Sequence, residues 1–500
     1  MTHRPNTSDY LLANAAQESV AVVEAGEACS YAQLRSAAAR LAAGLAALDL
    51  PPGSRVGVFG PNSSFWVAAY LAAMKLGHVA VPLSDKLSQD DVRRNAGIAG
   101  CAAVFASQSV LRRFPQAFGD GLRVLTDQAL RQDGESYWPG NVPVDPDADA
   151  VLMFTSGSTA RPKAVRLTHG NIQANTDSII TYLELRGDDR VLVILPFFYC
   201  YGASLLHTHL RCGGRVVVCN SFVFPETALD LFEREGCTVL AGVPSSFQQL
   251  LRASTFGKRE LPSLRLIQQA GGKLPPVLIE ELLAVKPAAT LFVMYGQTEA
   301  TARLSYLPPD KLREKTGSIG NGIPGVELRV LNESGEPVLA GERGEIYATG
   351  ANISPGYFGD PDGSVTKFTP WGLRTGDLAV VDDDGDIYVV DRRDDFIKSW
   401  GHRVSSQEVE AAVLRMEQLV SAAAIGVPDD KAGEAVTLFV AARPGAEVTP
   451  DEILAVCHHH LPTYMVPRSV HVLDALPLNA NGKIAKPRLR EMAAVRTAAQ

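Results

Sequence analysis

Four short segments carry side chains whose types and spacing suit chemistry on an anion. Residues 151–166 read VLMFTSGSTARPKAVR, an apolar strand running into a Thr/Ser/Gly loop and then Lys163. Small hydroxyl residues and a glycine let backbone N–H groups and side-chain hydroxyls converge on an anion, and a mobile ammonium adds a point charge, which suits a polyphosphate. No Gly-Lys-Ser/Thr closes the loop at a helix start, so it is not the Walker pattern. Taken alone, its composition reads rather as a Ser/Thr linker between strands. Tyr295-Gly-Gln-Thr-Glu299 follows the apolar run 290–294 and delivers a ring, a glycine turn, a hydroxyl and a carboxylate in five residues. Thr375-Gly376-Asp377 has the form of a common turn, and Lys483 stands in an Asn-Gly-Lys loop after the apolar run 470–473.

Groups this far apart in sequence need a frame to bring them together. Short β-branched runs alternate with Ala/Leu helical patterns: strand patterns at 55–59 and 215–219, helical ones at 65–76 and 225–235. That alternation predicts an α/β fold with largely parallel strands. From residue 317 the texture changes to Gly-punctuated short strands, GSIGNGIPGVELRV, GEIYATG and GDIYVVDRR, a β-rich section. A charged stretch at 392–395 is followed by fresh helical patterns at 405–415 and 449–460. This predicts a large N-terminal domain, 1–393, of parallel and mixed sheets with flanking helices, and a small mobile α+β C-terminal domain, 394–500.

Composition narrows the classes. With 500 residues, 46% hydrophobic and 20% charged, the chain is neither disordered nor a coiled coil, and it exceeds one hydrophobic core. Lys and Arg number 47 against 55 Asp and Glu, a net charge of −8 that provides no basic field for a nucleic acid polymer. The first residues lack a basic, then apolar, secretory pattern, and no window reads as a membrane span. Seven dispersed cysteines without a CxxC pair indicate neither disulfides nor zinc, and a reducing cytoplasm is the expected location.

Six segments then occur in order: TSGSTARPKAV, YGQTEA, LRTGDL, DRRDDFIKSWGHRVSSQEVE, LPTYMVP and PLNANGKIAKPRLR. Together they resemble the adenylate-forming superfamily of acyl-CoA synthetases, peptide-synthetase adenylation domains and luciferase, with weaker signals at Ser30 and Met74 extending the likeness over essentially the whole chain. The resemblance implies that a carboxylate is joined to the α-phosphate of ATP, with pyrophosphate released and the acyl group passed to the thiol of coenzyme A or of a carrier protein's phosphopantetheine. It implies Mg²⁺ as well. Thr155, Ser156, Gly157, Ser158, Thr159 and Lys163 would hold the β- and γ-phosphates; Gly271 and Gly272 would form a backbone platform beside base and acyl group. Tyr295 would stack on adenine, Thr298 would contact the α-phosphate, and Glu299 would ligate the metal. Asp377 would accept from both ribose hydroxyls, its two oxygens matching a cis-diol, and Arg392 would approach the same sugar. Lys483 would bridge the substrate carboxylate and the α-phosphate, Asp394 would be the hinge, and Gly401 would leave room for a pantetheine arm.

Three positions depart from the superfamily's pattern. Ala160 and Ala164 stand where glycine is usual, which predicts a stiffer or shifted loop, and Trp400 stands where many plant and beetle relatives carry a lysine. The acid pocket is expected at Tyr199, Cys200, Gly271 and Gln297. Without an aspartate near Tyr199-Cys200-Tyr201, an α-ammonium would be buried unpaired, which favours an aryl, short aliphatic or fatty acid. A stand-alone enzyme activating an amino or unusual acid, and a nucleotide sensor without turnover, are the alternatives. His207 and His209 point apart on a helix, and Cys457 with His458–His460 reads as a helix end, so neither predicts a metal site. Lys486 reads as a surface residue.

Overall fold

A computed structural model describes residues 4–119, 121–131, 138, 140, 142–155, 162–392, 396–429 and 431–497. Among these, two large sheets form the body. One has six strands, in the order Lys163–Thr168, Asp149–Thr155, Val79–Leu83, Arg55–Phe59, Cys101–Ala106 and Arg123–Leu125; its first pair is antiparallel and the rest are parallel. The other has nine, with a parallel centre (Thr290–Tyr295, Leu266–Gln269, Val239–Gly242, Arg190–Val193, Arg215–Val218, Val20–Glu24) and antiparallel strands at both edges. The mixed α/β class is the one the alternation predicted.

The main core lies between these sheets. The helix Ser64–Lys75, SFWVAAYLAAMK, has no polar face, and every side chain from Trp66 onward is buried. A helix apolar all round has to be enclosed, and here it is packed with Tyr31–Ala46 and Cys200–Cys212 in one continuous cluster. Its start is one residue earlier than the pattern suggested, because the Ser63 hydroxyl accepts from the Trp66 N–H and caps it.

The β-rich section forms an antiparallel sheet of Val326–Leu331, Arg343–Gly350, Gly372–Val381 and Phe368–Thr369, with Ile387–Arg392 paired to Gly372–Val381. A further sheet of His402–Val404, Ile397–Ser399, Gly433–Ala442 and Leu419–Asp429, joined by Ser469–Leu473, has its own core against the helices Ser406–Val413 and Pro450–His460. Arg252 ties the two regions: its guanidinium holds Glu281 and donates to the Met416 carbonyl at 3.2 Å. No described helix is long and apolar enough to cross a membrane. All seven cysteines are free thiols.

The parallel strands end toward one side, and the loops that follow carry the chemistry, as open α/β sheets usually arrange it. One turn there has no spare room. A methyl group on Gly202, in the first turn of Cys200–Cys212, would lie 2.1 Å from the Pro196 carbonyl oxygen. Gly202→Ala is therefore expected to destabilise the protein by about 1–3 kcal/mol. A lower midpoint in urea unfolding checks this; an unchanged midpoint contradicts the packing.

Candidate active site

The strand Leu266–Gln269 runs into Ala270 and Gly271, where the chain turns with φ +88°. A β-carbon on Gly271 would stand 2.9 Å from the Tyr199 hydroxyl, 3.0 Å from Val243 Cγ1 and 3.4 Å from Lys483 Cε. Only a glycine lets the backbone come this close to three neighbours. One of them, Lys483, comes from the far end of the sequence.

Local structure fixes how Lys483 arrives. The Asn479 side chain accepts from the backbone N–H groups of Asn481 and Lys483, the Asn479 backbone N–H donates to the Lys483 carbonyl at 2.7 Å, and Gly482 takes a positive φ. This Asx turn closes a tight loop between Leu478 and Ile484. The Ser245 hydroxyl, in the first turn of Pro244–Ala253, donates to the Gly482 carbonyl and anchors the loop to the large body. The Lys483 ammonium then lies 5.5 Å from the centre of the Tyr199 ring. Burial in the cleft, with a smaller push from the Arg392 guanidinium, brings its pKa down from 10.5 to about 8.

A cavity of about 100 Å³ adjoins this amine, and Gly271, Gly272, Tyr295, Asp377 and Arg392 line it together with Lys483. Asp377 is almost fully buried on Gly372–Val381, opposite Arg392 on the neighbouring strand. Its carboxylate accepts from the Tyr295 hydroxyl, and Arg392 Nε stands 3.3 Å from its other oxygen. Burial first, then the charge of Asp377, pushes the Tyr295 phenol well above its usual range. Lys367, which the sequence reading passed over, donates to the Thr375 carbonyl at 2.8 Å; burial lowers its pKa, and the Glu299 and Asp377 carboxylates oppose that shift.

Glu299 and Thr298 sit in the short turn after Tyr295. Gly296 makes that turn possible, since a β-carbon there would lie 2.0 Å from the Ala302 carbonyl oxygen. The Thr298 hydroxyl donates to Cys200 Sγ at 3.4 Å, and burial raises the Cys200 thiol pKa. The Tyr357 hydroxyl donates to Glu299 Oε1 at 2.8 Å, leaving Oε2 without a partner among the described residues. Lys163 lies over the Tyr357 ring at 4.5 Å and within 3.7 Å of Asp360. One free carboxylate oxygen near a lysine fits Mg²⁺, which takes few protein ligands and completes its shell from phosphate and water.

Of the proposed phosphate loop, Ser156, Gly157, Ser158 and Thr159 lie outside the described residues, as do Ala160 and the expected hinge Asp394. Thr155 and Lys163 face each other across an antiparallel strand pair. The expectation for Ala164 needs correcting: it is a buried strand residue opposite Phe154, where a methyl group is ordinary and no glycine conformation is needed. Lys486 is not a free surface residue either. Its ammonium pairs with Glu410 at 2.9 Å and donates to Ser406 at 2.7 Å. Gly401 lies in an exposed hairpin turn with nothing near its α-carbon, and it is not among the residues lining the Lys483 cavity. Gln297 has its side-chain nitrogen buried without a partner among the described residues.

His207 and His209 are both buried. His207 meets the Tyr70 hydroxyl at 3.0 Å and His209 the Leu205 carbonyl at 2.9 Å, and burial lowers their pKa values to about 3 and about 4. Among the described residues no cluster of three or more His, Cys, Asp or Glu could hold a metal.

The family model described as AMP-binding enzyme matches residues 12–358, and the one described as AMP-binding enzyme C-terminal domain matches residues 408–483. The chain belongs to the AMP-binding enzymes. It is 34% identical over 472 residues to a feruloyl-CoA synthase of an Amycolatopsis species, covering 94% of this chain and 95% of that one. Among solved structures it is similar to o-succinylbenzoate CoA synthetase of Bacillus subtilis in complex with ATP and magnesium ion, at 28% identity and TM-score 0.85, over 98% of this chain and 100% of that one. It is also similar to an amide bond synthetase of Marinactinospora thermotolerans, at 28% identity and TM-score 0.87, over 97% and 99%.

As an AMP-binding enzyme with Asp377 buried beside Tyr295 and Arg392, the protein is expected to lose nucleotide affinity when that carboxylate is neutralised. Asp377→Asn should weaken AMP binding at least about tenfold, or roughly 1.4 kcal/mol, by calorimetry. Unchanged affinity would place the nucleotide elsewhere.

Proposed function

We propose that this enzyme converts a carboxylic acid without an α-amino group into its acyl-adenylate, using ATP and releasing pyrophosphate, and then transfers the acyl group to the thiol of coenzyme A. The observation that carries this reading is the Lys483 amine, delivered from the C-terminal region into the cavity bounded by Gly271, Tyr295 and Asp377. In the first step two anions must meet, a carboxylate and a triphosphate. A half-buried cation at their meeting point lowers the barrier by stabilising charge as it develops in the transition state.

Each neighbour takes a part in that task. Asp377 and Arg392 hold the ribose, Tyr295 lies along the adenine, and Gly271 and Gly272 offer backbone where a side chain would block base and acid. Thr298 contacts the α-phosphate, and Thr155 with Lys163 and the hydroxyl loop between them takes the β- and γ-phosphates. Glu299, held by Tyr357, binds Mg²⁺, which when present neutralises phosphate charge. Tyr199 and Cys200 border the acid. After adenylation, a rotation about Asp394 withdraws Lys483 and brings the face bearing Gly401 to the cleft, giving the thiol a path. The feruloyl-CoA synthase and succinylbenzoate CoA synthetase likenesses support coenzyme A as acceptor and an aryl acid as substrate.

The pocket also supports excluding an α-amino acid. Tyr199, Cys200 and Tyr201 themselves supply no carboxylate for an ammonium, and of the charged groups acting on Tyr199 and Cys200, the cations Arg303, Lys483 and Arg392 outnumber the one carboxylate, Glu299, whose place is with the metal.

Two outcomes test the reading. Lys483→Ala should reduce acid-dependent pyrophosphate release at least about a hundredfold while ATP binding persists; full exchange in the variant sinks the assignment. The pH dependence follows from the lowered pKa. Below about 8 the free enzyme carries the cation, and above it the amine is neutral. Accordingly kcat/KM for adenylation should fall about tenfold per pH unit on the alkaline side of 8, since kcat/KM reports the free enzyme. A profile flat to pH 10 contradicts a catalytic cation at this position. Adding coenzyme A, a carrier protein or an amine to the preformed adenylate then identifies the acceptor.

A further inference from the structure

Arg303 is a fully buried cation that the chemistry above does not use. It is 1% exposed, and its guanidinium carbon lies 3.9 Å from the centre of the Tyr201 ring. Its backbone is locked on both sides: the Arg303 carbonyl accepts from Asn175 at 3.1 Å and from Asn352 at 2.9 Å, and its N–H donates to Asn175 Oδ1. The Tyr182 and Tyr201 hydroxyls are its polar neighbours, yet Nε and Nη2 are buried with no hydrogen-bond partner, and no carboxylate among the described residues pairs with them. Removing a charge from water without a counter-ion is costly, so such a group asks for an explanation.

The vacant edge has a defined geometry. Nε and Nη2 form one side of the guanidinium fork, the side that takes a carboxylate in bidentate fashion. This chain uses it that way elsewhere. Arg374 Nε and Nη2 each donate to Glu345 at 2.9 Å, and Arg252 grips Glu281 through the same pair of nitrogens. A second unsatisfied group stands near. The Gln268 side chain is 1% exposed with both polar atoms unpartnered, and the period of the strand puts it on the face shared with Ala270, which packs in the cluster containing Tyr199 and Tyr201. The Tyr201 hydroxyl is already committed to the Gln268 backbone carbonyl at 2.7 Å.

A chain of contacts links this fork to the catalytic lysine. The Lys483 ammonium is 5.5 Å from the Tyr199 ring, the Tyr199 and Tyr201 rings are 6.4 Å apart, and Arg303 caps Tyr201. Two cations thus bracket an aromatic pair, one at the adenylation end and one deep inside. We infer that the substrate is a dicarboxylic acid: one carboxylate is adenylated near Lys483, and the second is read by Arg303, with Gln268 beside it, across a spacer about the size of an aryl group. Arg303 is then the specificity-determining residue of the pocket. This inference rests on the acid-activating function proposed above and adds the class of acid.

The test uses the full-length enzyme and matched pairs, each a diacid with an aryl, short aliphatic or longer alkyl spacer and its monomethyl ester. Wild-type enzyme should release pyrophosphate with at least one diacid at a kcat/KM tenfold or more above that of its ester. Arg303→Met should erase that preference by raising KM for the diacid, with kcat for the ester kept, and Arg303→Lys should restore only part of it, because an ammonium supplies charge without the fork. Equal turnover of diacid and ester by the wild type overturns the inference and leaves acid activation standing. That comparison needs no variant, so it decides the matter even where Arg303→Met fails to fold. Wild-type preference that survives in a folded Arg303→Met also overturns it. No pyrophosphate release across all pairs removes the proposed function itself, and the inference with it.

Discussion

The arrangement depends on the burial of one ammonium group between two parts of the chain. Lys483 reaches the Gly271 turn only because an Asx turn at Asn479 projects it, Ser245 pins the neighbouring carbonyl, and residue 271 lacks a side chain. Lys483 is half-buried, and the hydration its ammonium loses in the cleft brings its pKa down to about 8. Such a group sits uneasily in the resting protein and gains from any anion brought to it. In the proposed reaction an acid and a nucleotide together would supply that anion, and the cost of desolvating the amine would become stabilisation in the reacting complex.

The neighbouring groups extend the same logic. Asp377 is buried but shared between a phenol and a guanidinium; Glu299 is buried but held by one hydroxyl, its other oxygen unpartnered among the described residues; Lys367 is half-buried against a carbonyl, with both carboxylates in electrostatic range. Asp377, Arg392 and Lys483 line one small cavity in alternating sign, and Lys367 lies within electrostatic range of both Asp377 and Glu299, a clustering of charges that marks a functional site. Arg303 differs because no described carboxylate balances it, which separates its role from that of the nucleotide-facing set.

Much of this was legible in the sequence, and the reasons differ by element. The strands Arg55–Phe59 and Thr290–Tyr295 follow from short apolar runs and the helix Pro450–His460 from its helical pattern, its start fixed in the structure by a Thr449–Glu452 capping box. Tyr295, Asp377, Arg392 and Lys483 stand in ordered motifs and Gly271 in a glycine pair after a strand, and the fold brings all five to one cavity. Ala164 was misread because a motif records residue types and not where a loop becomes a strand; its register opposite Phe154 is decided by hydrogen-bond pairing. Arg303, Tyr357 and Lys367 carried no signal, since each matters only through partners distant in sequence or, for Arg303, through the absence of one. An arginine eight residues beyond Tyr295 looks like any surface arginine until tertiary packing encloses it.

The state of the Lys483 amine is the point on which the account stands or falls. It can be read by trace acylation of the enzyme across a pH series, with the modified peptide quantified by mass spectrometry. The account predicts an apparent pKa near 8 for Lys483 and strong protection when ATP and an acid substrate are both bound. Reactivity that titrates near the ordinary value of 10.5, unchanged by either ligand, would show an amine in solvent and contradict it.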